Sequence, residues 1–203
     1  MSSVVISGDT SGSITLQAPA VAGSNTLTLP ASTGTIITTA SSGQSIPKAA
    51  LPTGSVLQVV SNSVTSSSYA STTSTSFVTT GHSCSITPSS TTSKILILVS
   101  AYCGYNYVSN ASYGGFFTVY RNSTNLSGGA NNGLAALSWS NLSGPSDTNL
   151  GISYIDSPST TSSTTYTVYF FSNNSGGTLT YCCSFGSNLV NSVATITLME
   201  IAG

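Results

Sequence analysis

Lys94-Ile-Leu-Ile-Leu-Val-Ser-Ala-Tyr102 decides the fold of this chain. Its five consecutive large aliphatics, Ile95 to Val99, form the most concentrated apolar run in the sequence. A membrane-crossing helix needs about 20 apolar residues, so the run is far too short to span a bilayer. It is rich in β-branched residues, with Thr91-Thr-Ser93 before it and Gly104 after it. That reads as a strand buried on both faces, at the centre of a β-sandwich.

Working outward, further β-rich stretches predict strands over Ser55–Val64, Thr75–Thr80, Ser83–Thr87, Gly115–Arg121 and Leu134–Trp139. Gly151–Asp156, Thr164–Phe171, Thr178–Phe185 and Ser192–Ile201 continue the series. Ser/Thr/Asn/Gly-rich segments such as Ser66–Ser74, Pro88–Ser93, Asn122–Asn132, Ser157–Ser163 and Asn173–Gly177 separate them as loops. No stretch carries a capped 3.6-residue period. Many short strands at this spacing mean a sandwich or barrel. The final strand runs almost to Gly203, so it is expected inside a sheet, beside the first.

The chain has 203 residues, of which 39% are apolar and only 3% charged, against about a quarter charged in ordinary globular chains. The charged residues are Asp9, Lys48, Lys94, Arg121, Asp147, Asp156 and Glu200. A disordered chain combines low hydrophobicity with high charge, and this one has neither. A net charge of −1 with three cations leaves no footprint for nucleic acid. Nothing resembles a basic amphipathic helix or a signal peptide, so no membrane insertion is expected. Cys84, Cys103, Cys182 and Cys183 show no Cys-x-x-Cys spacing and read as buried free thiols, with a Cys84–Cys103 disulfide as the alternative. Titrating groups are so few that stability should be nearly insensitive to pH and salt across the neutral range.

Residues 1–53 differ from the rest. They hold no aromatic residue and no Cys, and Pro19, Pro30, Pro47 and Pro52 cut them into short pieces. Ile14 and Leu16, then Leu27 and Leu29, alternate with polar residues as half-buried strands do, and Ile36 follows. Each piece is too short to fold alone. Either several copies wind together into a thin β shaft, or the segment is an arm that orders on a docking surface. Both readings make 1–53 the attachment and oligomerisation end, with residues 54–203 as the head.

The segment Ser11-Gly-Ser-Ile-Thr-Leu-Gln-Ala-Pro19, with Asn25-Thr-Leu-Thr-Leu-Pro30 and Gly34-Thr-Ile36, resembles one found in fibre and other structural proteins of tailed bacteriophages, especially those of cyanobacteria and marine bacteria. The resemblance implies a trimeric shaft or virion-attachment part. The layout of 54–203 is similar to the jelly-roll heads of phage fibres and, more distantly, to heads of the complement-C1q and tumour-necrosis-factor class. Ile155-Asp-Ser-Pro-Ser-Thr-Thr-Ser-Ser-Thr-Thr-Tyr-Thr-Val-Tyr169 resembles a passage of such heads. The fold class expected is therefore all-β: a thin N-terminal shaft or arm followed by an antiparallel jelly-roll β-sandwich head.

Catalysis needs titratable groups within hydrogen-bond reach of one another. His82, the single histidine, stands beside Ser83, but no Gly-x-Ser-x-Gly elbow accompanies it, and it reads as a loop residue near a strand start. A glycosidase needs two carboxylates flanking the bond; Asp147 and Asp156 are available, yet Asp156 precedes Pro158 at a turn. Asp9 sits in a turn-like Gly8-Asp-Thr-Ser-Gly12, and one carboxylate holds Ca²⁺ weakly. No enzyme activity, metal or cofactor is expected.

Recognition, if the head performs it, rests on aromatics. Tyr102, Tyr105, Tyr107, Tyr113, Phe116, Phe117, Tyr120 and Trp139 crowd together among asparagines. Rings with amide neighbours suit sugar binding, whereas Phe116–Tyr120 looks like a packed strand. Tyr105, Tyr107, Tyr113 and Trp139 are the expected exposed members and candidate ligand-binding residues. The expectation is a virion-located phage structural protein. It would form a homotrimeric fibre or spike, joined to other virion proteins through its N-terminal segment and contacting a host surface glycan. The alternatives are a capsid decoration protein and a carbohydrate-binding receptor-recognition module.

Overall fold

A computed structural model of the chain describes residues 3–7, 9–17, 31, 51–65, 70–107, 113–129, 132–139, 146–183 and 192–203. The chain forms two compact units, Met1–Ser45 and Ile46–Gly203. The described residues form strands, turns and irregular segments only, and all their strand pairs are antiparallel.

In the first unit, β1 (Ser3–Ser7) pairs with β2 (Ser13–Gln17), in register from Ser3↔Gln17 to Ser7↔Ser13. The turn uses Gly12 at φ 80°, a backbone region that glycine enters without steric penalty. Val4, Val5 and Ile6 are 61%, 56% and 56% exposed. Successive strand residues face opposite sides, so both faces of β1 present aliphatics to water. Ile14 and Leu16 occupy β2 positions opposite Ile6 and Val4. Leu27, Leu29 and Ile36 lie outside the described residues.

The second unit holds β3 (Val56–Thr65), β4 (Ala70–Thr72), β5 (Val78–Ile86), β6 (Lys94–Tyr107), β7 (Tyr113–Arg121) and β8 (Thr124–Asn125). They are followed by β9 (Ala135–Trp139), β10 (Ser146–Asp156), β11 (Thr164–Ser172), β12 (Gly177–Tyr181) and β13 (Val193–Ile201). One sheet runs β3-β13-β6, with β10 on the free flank of β6 and β12-β4 extending from its far half. The other runs β5-β11-β7, with β8 and β9 on the outer flank of β7. With the short β4, β8 and β12 set aside, the orders β3-β13-β6-β10 and β5-β11-β7-β9 are those of a jelly roll.

The length of β6 makes it the hub of its sheet. Its first half pairs with β13, its second with β12, and β10 covers the opposite flank from Ile95 to Tyr105. Ile95, Ile97, Val99, Ala101, Cys103 and Tyr105 point inward and are buried. They meet Cys84, Ile86, Phe117, Val119, Tyr166, Val168 and Phe170 of the second sheet. Full burial of each large aliphatic or aromatic contributes about 1.5–3 kcal/mol.

The decisive run is buried on one face, not two. Leu96 and Leu98 are only half-buried on the outside of the sheet. At Leu96 that outer face is apolar across strands, with Val59, Met199, Leu96 and Ile155 in one row, whereas Leu98 lies between Thr197 and Ser153. Lateral contact between row neighbours supplies part of the burial that a covering layer would have given.

Other boundaries moved for local reasons. Thr75–Thr80 and Ser83–Thr87 merge into β5, which carries Gly81 at φ 78° beside a register shift on β11 between Thr167 and Tyr169. The glycine marks an irregularity within one strand, not a break between two. β4 and β8 fall in segments read as loops, being too short to show alternation. Asn122 turns β7 into β8 at φ 53°, a conformation Asn tolerates, and its side-chain carbonyl accepts from Thr165 N at 3.1 Å.

Candidate functional site

Two groups of titratable side chains in the head tie its two layers together, one at His82 and one at Asp156. His82 lies within β5, not in a loop, and is 2% exposed. Its Nδ1 is 2.7 Å from the Tyr181 hydroxyl on β12, and its Nε2 is 3.2 Å from the carbonyl of Asn62 on β3. Tyr O–H must donate to a bare nitrogen and the carbonyl must receive N–H, so the ring is the neutral Nε2–H tautomer. Burial holds the imidazole below its ordinary pKa, partly offset by the Asn62 carbonyl.

Asp156 ends β10, 6% exposed. Arg121 Nη1 on β7 donates to both its oxygens, at 2.7 and 3.0 Å, and Tyr166 Oη on β11 donates to Oδ2 at 2.7 Å. The turn expected at Asp156 is therefore a cross-layer ion pair. Burial, then the hydrogen bond to Asp156, raises the Tyr166 pKa.

Glu200 on β13 is fully buried. Burial alone would raise its pKa. Donors override that: Ser89 Oγ at 2.6 Å, Ser93 Oγ at 2.7 Å, Ser89 N at 2.6 Å and Gln58 Nε2 at 2.6 Å bring the carboxyl down to about 2. Gln58 also donates to Thr87 O at 2.7 Å, and Asn62 Nδ2 to Ser83 O at 2.8 Å. These two amides, four residues apart on β3, stitch one edge of the sandwich to β5.

Cys84, Cys103, Cys182 and Cys183 are free and buried. Burial raises the thiols of Cys84, Cys103 and Cys183 above their ordinary range, which disfavours the reactive thiolate. Cys182 and Cys183 lie just past β12, not on a strand with alternating faces, and Cys182 takes φ 64°. Among the described residues, no group of three His, Cys, Asp or Glu could hold a metal ion. A hollow of about 420 Å³ lies between Leu51, Leu57, Ser89, Ser90, Thr92 and the chain end at Ala202-Gly203; no side chain lining it titrates.

The aromatic expectation is redistributed. Tyr105 is fully buried on the inner face of β6. Its hydroxyl lies 2.5 Å from Ser172 Oγ of β11, which itself donates to Asn174 O at 2.6 Å. The inward register set by Ala101 and Cys103 dictates this, because alternate residues share a face. Tyr107, Tyr113 and Trp139 occupy strand positions, Tyr113 paired with Trp139; their side chains lie outside the described set.

A different set of rings gathers on the outer face of the second sheet. Phe116 stacks on Phe171 with centroids 4.7 Å apart and planes 8° from parallel, and Phe77 meets Phe171 edge-on at 4.7 Å. Tyr120 stacks on Tyr169 at 3.9 Å. Burial raises the Tyr120 pKa, with a smaller contribution from Tyr169. Phe171 is 5% exposed and the other four are half-buried. Phe116 and Tyr120 belong to the sequence cluster. Phe77, Tyr169 and Phe171 were missed because they lie far off in sequence. The alternation Tyr169/Phe171 was the available signal.

The arrangement defines an antiparallel jelly-roll sandwich in which His82 and the Arg121–Asp156 pair bond between the layers and Glu200 bonds to its own sheet and a loop. No family model matches the chain, and no curated protein matches it. Among solved structures, the chain is similar to one in "Structure of infectious bursal disease virus Gx strain", at 12% identity and a TM-score of 0.32. That match covers 73% of this chain and 42% of the other, so the chain spans less than half the length of that viral chain. A likeness of that degree carries no functional argument; the fold rests on the strand order itself.

Proposed function

We propose that the chain is a virion structural protein: a fibre or spike of the tailed-phage type, with a jelly-roll head carried on an N-terminal oligomerisation and attachment segment. The observation that carries this reading is β1, whose Val4, Val5 and Ile6 are all more than half exposed. A two-stranded hairpin with aliphatics on both faces is marginal in water alone. Other copies of the segment, or a particle surface, would cover it. The phage-like wording of residues 11–36 and the hydroxyl- and amide-rich composition support the same assignment. The reading gives the head no catalytic role.

Light scattering on the full chain tests it. A homotrimer is expected, and Val5→Asp with Ile6→Asp should dissociate it while the head stays folded. A monomer at every accessible concentration would overturn the fibre and favour a decoration protein. A second reading, a carbohydrate-recognition module, rests on the Tyr120–Tyr169 stack on the outer face of the head.

A further inference from the structure

We propose that His82 is an acid-sensitive latch between the two sheets of the head. The inference stands apart from the fibre reading and needs only the head. His82 is the single imidazole of the chain and both its nitrogens are engaged, each by a group of the opposite sheet. Tyr181 comes from β12, which carries β4 at the sheet edge. Asn62 comes from the edge strand β3, and its own amide returns to β5 at Ser83 O. One ring therefore ties two strands of one layer to an edge strand of the other.

Protonation reverses the hydrogen-bond roles at one nitrogen. Nδ1 becomes a donor pointing at the Tyr181 oxygen, and the Tyr181 hydroxyl hydrogen must find another acceptor in a site where the tyrosine is 1% exposed. The new cation is also buried, a large penalty without an anion beside it.

The groups facing the ring offer little compensation. Tyr181 is the contact on β12, and burial, then Cys103 and Cys182, hold its hydroxyl protonated. Cys84 lies two residues along β5, with Tyr166 opposite it on β11. β3 and β4 carry no titratable side chain. Glu200 on β13 pairs with Gln58, four residues along β3 from Asn62, and its oxygens accept from Ser89, Ser93 and Gln58. The unfolded chain accepts the proton near pH 6.5, whereas the folded one resists it. Stability is therefore full above that pH and drains as pH falls below it.

The test uses the full chain and His82→Gln. Gln can accept from Tyr181 and donate to Asn62 O, but it does not titrate. Thermal midpoints of the wild-type head transition should fall by roughly 3–6 °C between about pH 7.5 and pH 5.5, while the variant changes by less than half as much. Equal falls in both proteins, or none in either, would overturn the latch. Should the variant not fold, NMR of the wild-type ring decides. The expected result is an Nε2–H tautomer that persists below pH 6.5, with amide exchange in β3, β5 and β12 rising as it titrates. A ring that titrates near pH 6.5 while those amides stay protected would overturn the proposal.

Discussion

Glu200 and Asp156 lie on one inner row of the first sheet, each paired with Ile95 of β6, one through β13 and the other through β10. Adjacent strands lie about 4.8 Å apart, so the two carboxylates sit at opposite flanks of a single buried isoleucine. Each receives its donors from outside its own strand: loop serines and β3 for Glu200, the second sheet for Asp156. Two charges in a charge-poor chain thus close one end of the sandwich. Buried carboxylates persist where several hydrogen bonds compensate the lost hydration.

Glu200→Gln should destabilise the head by about 2–3 kcal/mol at neutral pH. An amide NH₂ would then confront donors from Ser89 and Gln58. The same bonds set an acid transition. With the folded carboxyl near 2 against 4.5 when free, its stabilisation is complete above pH 4.5 and is lost as pH falls towards 2. The shift corresponds to roughly 3 kcal/mol. Urea midpoints measured between pH 6 and pH 2.5 check this; a curve flat below pH 4.5 would show that the four donors do not act together.

How much of this was legible follows from which signals are local. The apolar run at Ile95–Val99 announced the central strand, and alternation announced most of its partners. What alternation leaves open is which parity faces in. The aromatic cluster alone puts Tyr105 among the exposed members, yet parity from Ile95 places it inside. The pairing of His82 with Tyr181 spans 99 residues, and that of Gln58 with Glu200 spans 142, so neither leaves a mark in any window of sequence. The expectation of pH insensitivity counted ionisable groups without knowing that His82 and Glu200 are buried. Both are groups that lose stabilisation on protonation, so the pH response predicted for them falls on the acid side.

Removing one partner of the Arg121–Asp156 pair should hurt more than removing both. Asp156→Ala strands a partly covered guanidinium and the Tyr166 hydroxyl, at a cost of about 3 kcal/mol. Adding Arg121→Met should recover part of that loss. Because Asp156 is buried, added salt should move the wild-type midpoint little. A double variant no more stable than Asp156→Ala alone would assign the loss to Tyr166 instead.

Gly177 packs against the ring of Tyr105, and a β-carbon there would overlap Tyr105 Cε1 and come within 2.6 Å of Cζ. Gly177→Ala must push the ring off Ser172, so its thermal midpoint should fall by roughly 4–8 °C, as for a 2 kcal/mol loss. Tyr105→Phe, which keeps the ring and removes only the hydroxyl, should cost about 1 kcal/mol. Glycan binding, measured on an array of immobilised sugars, should be unchanged by Tyr105→Phe, since the residue is inside.

The outer-face rings separate stability from recognition. Phe171 is nearly covered by Phe77 and Phe116, so Phe171→Ala should cost about 3 kcal/mol, as a core residue would. Tyr120 and Tyr169 are half-exposed, and stacked pairs of this kind contribute about 0.5–1.5 kcal/mol beyond their buried area. Tyr120→Ala and Tyr169→Ala should therefore leave the head folded and the oligomer intact. If the head recognises sugars through this face, both variants lose binding to the host surface together, while Ser85→Ala on neighbouring β5 does not. Retained binding in the double tyrosine variant would return these rings to a packing role and leave the structural reading alone.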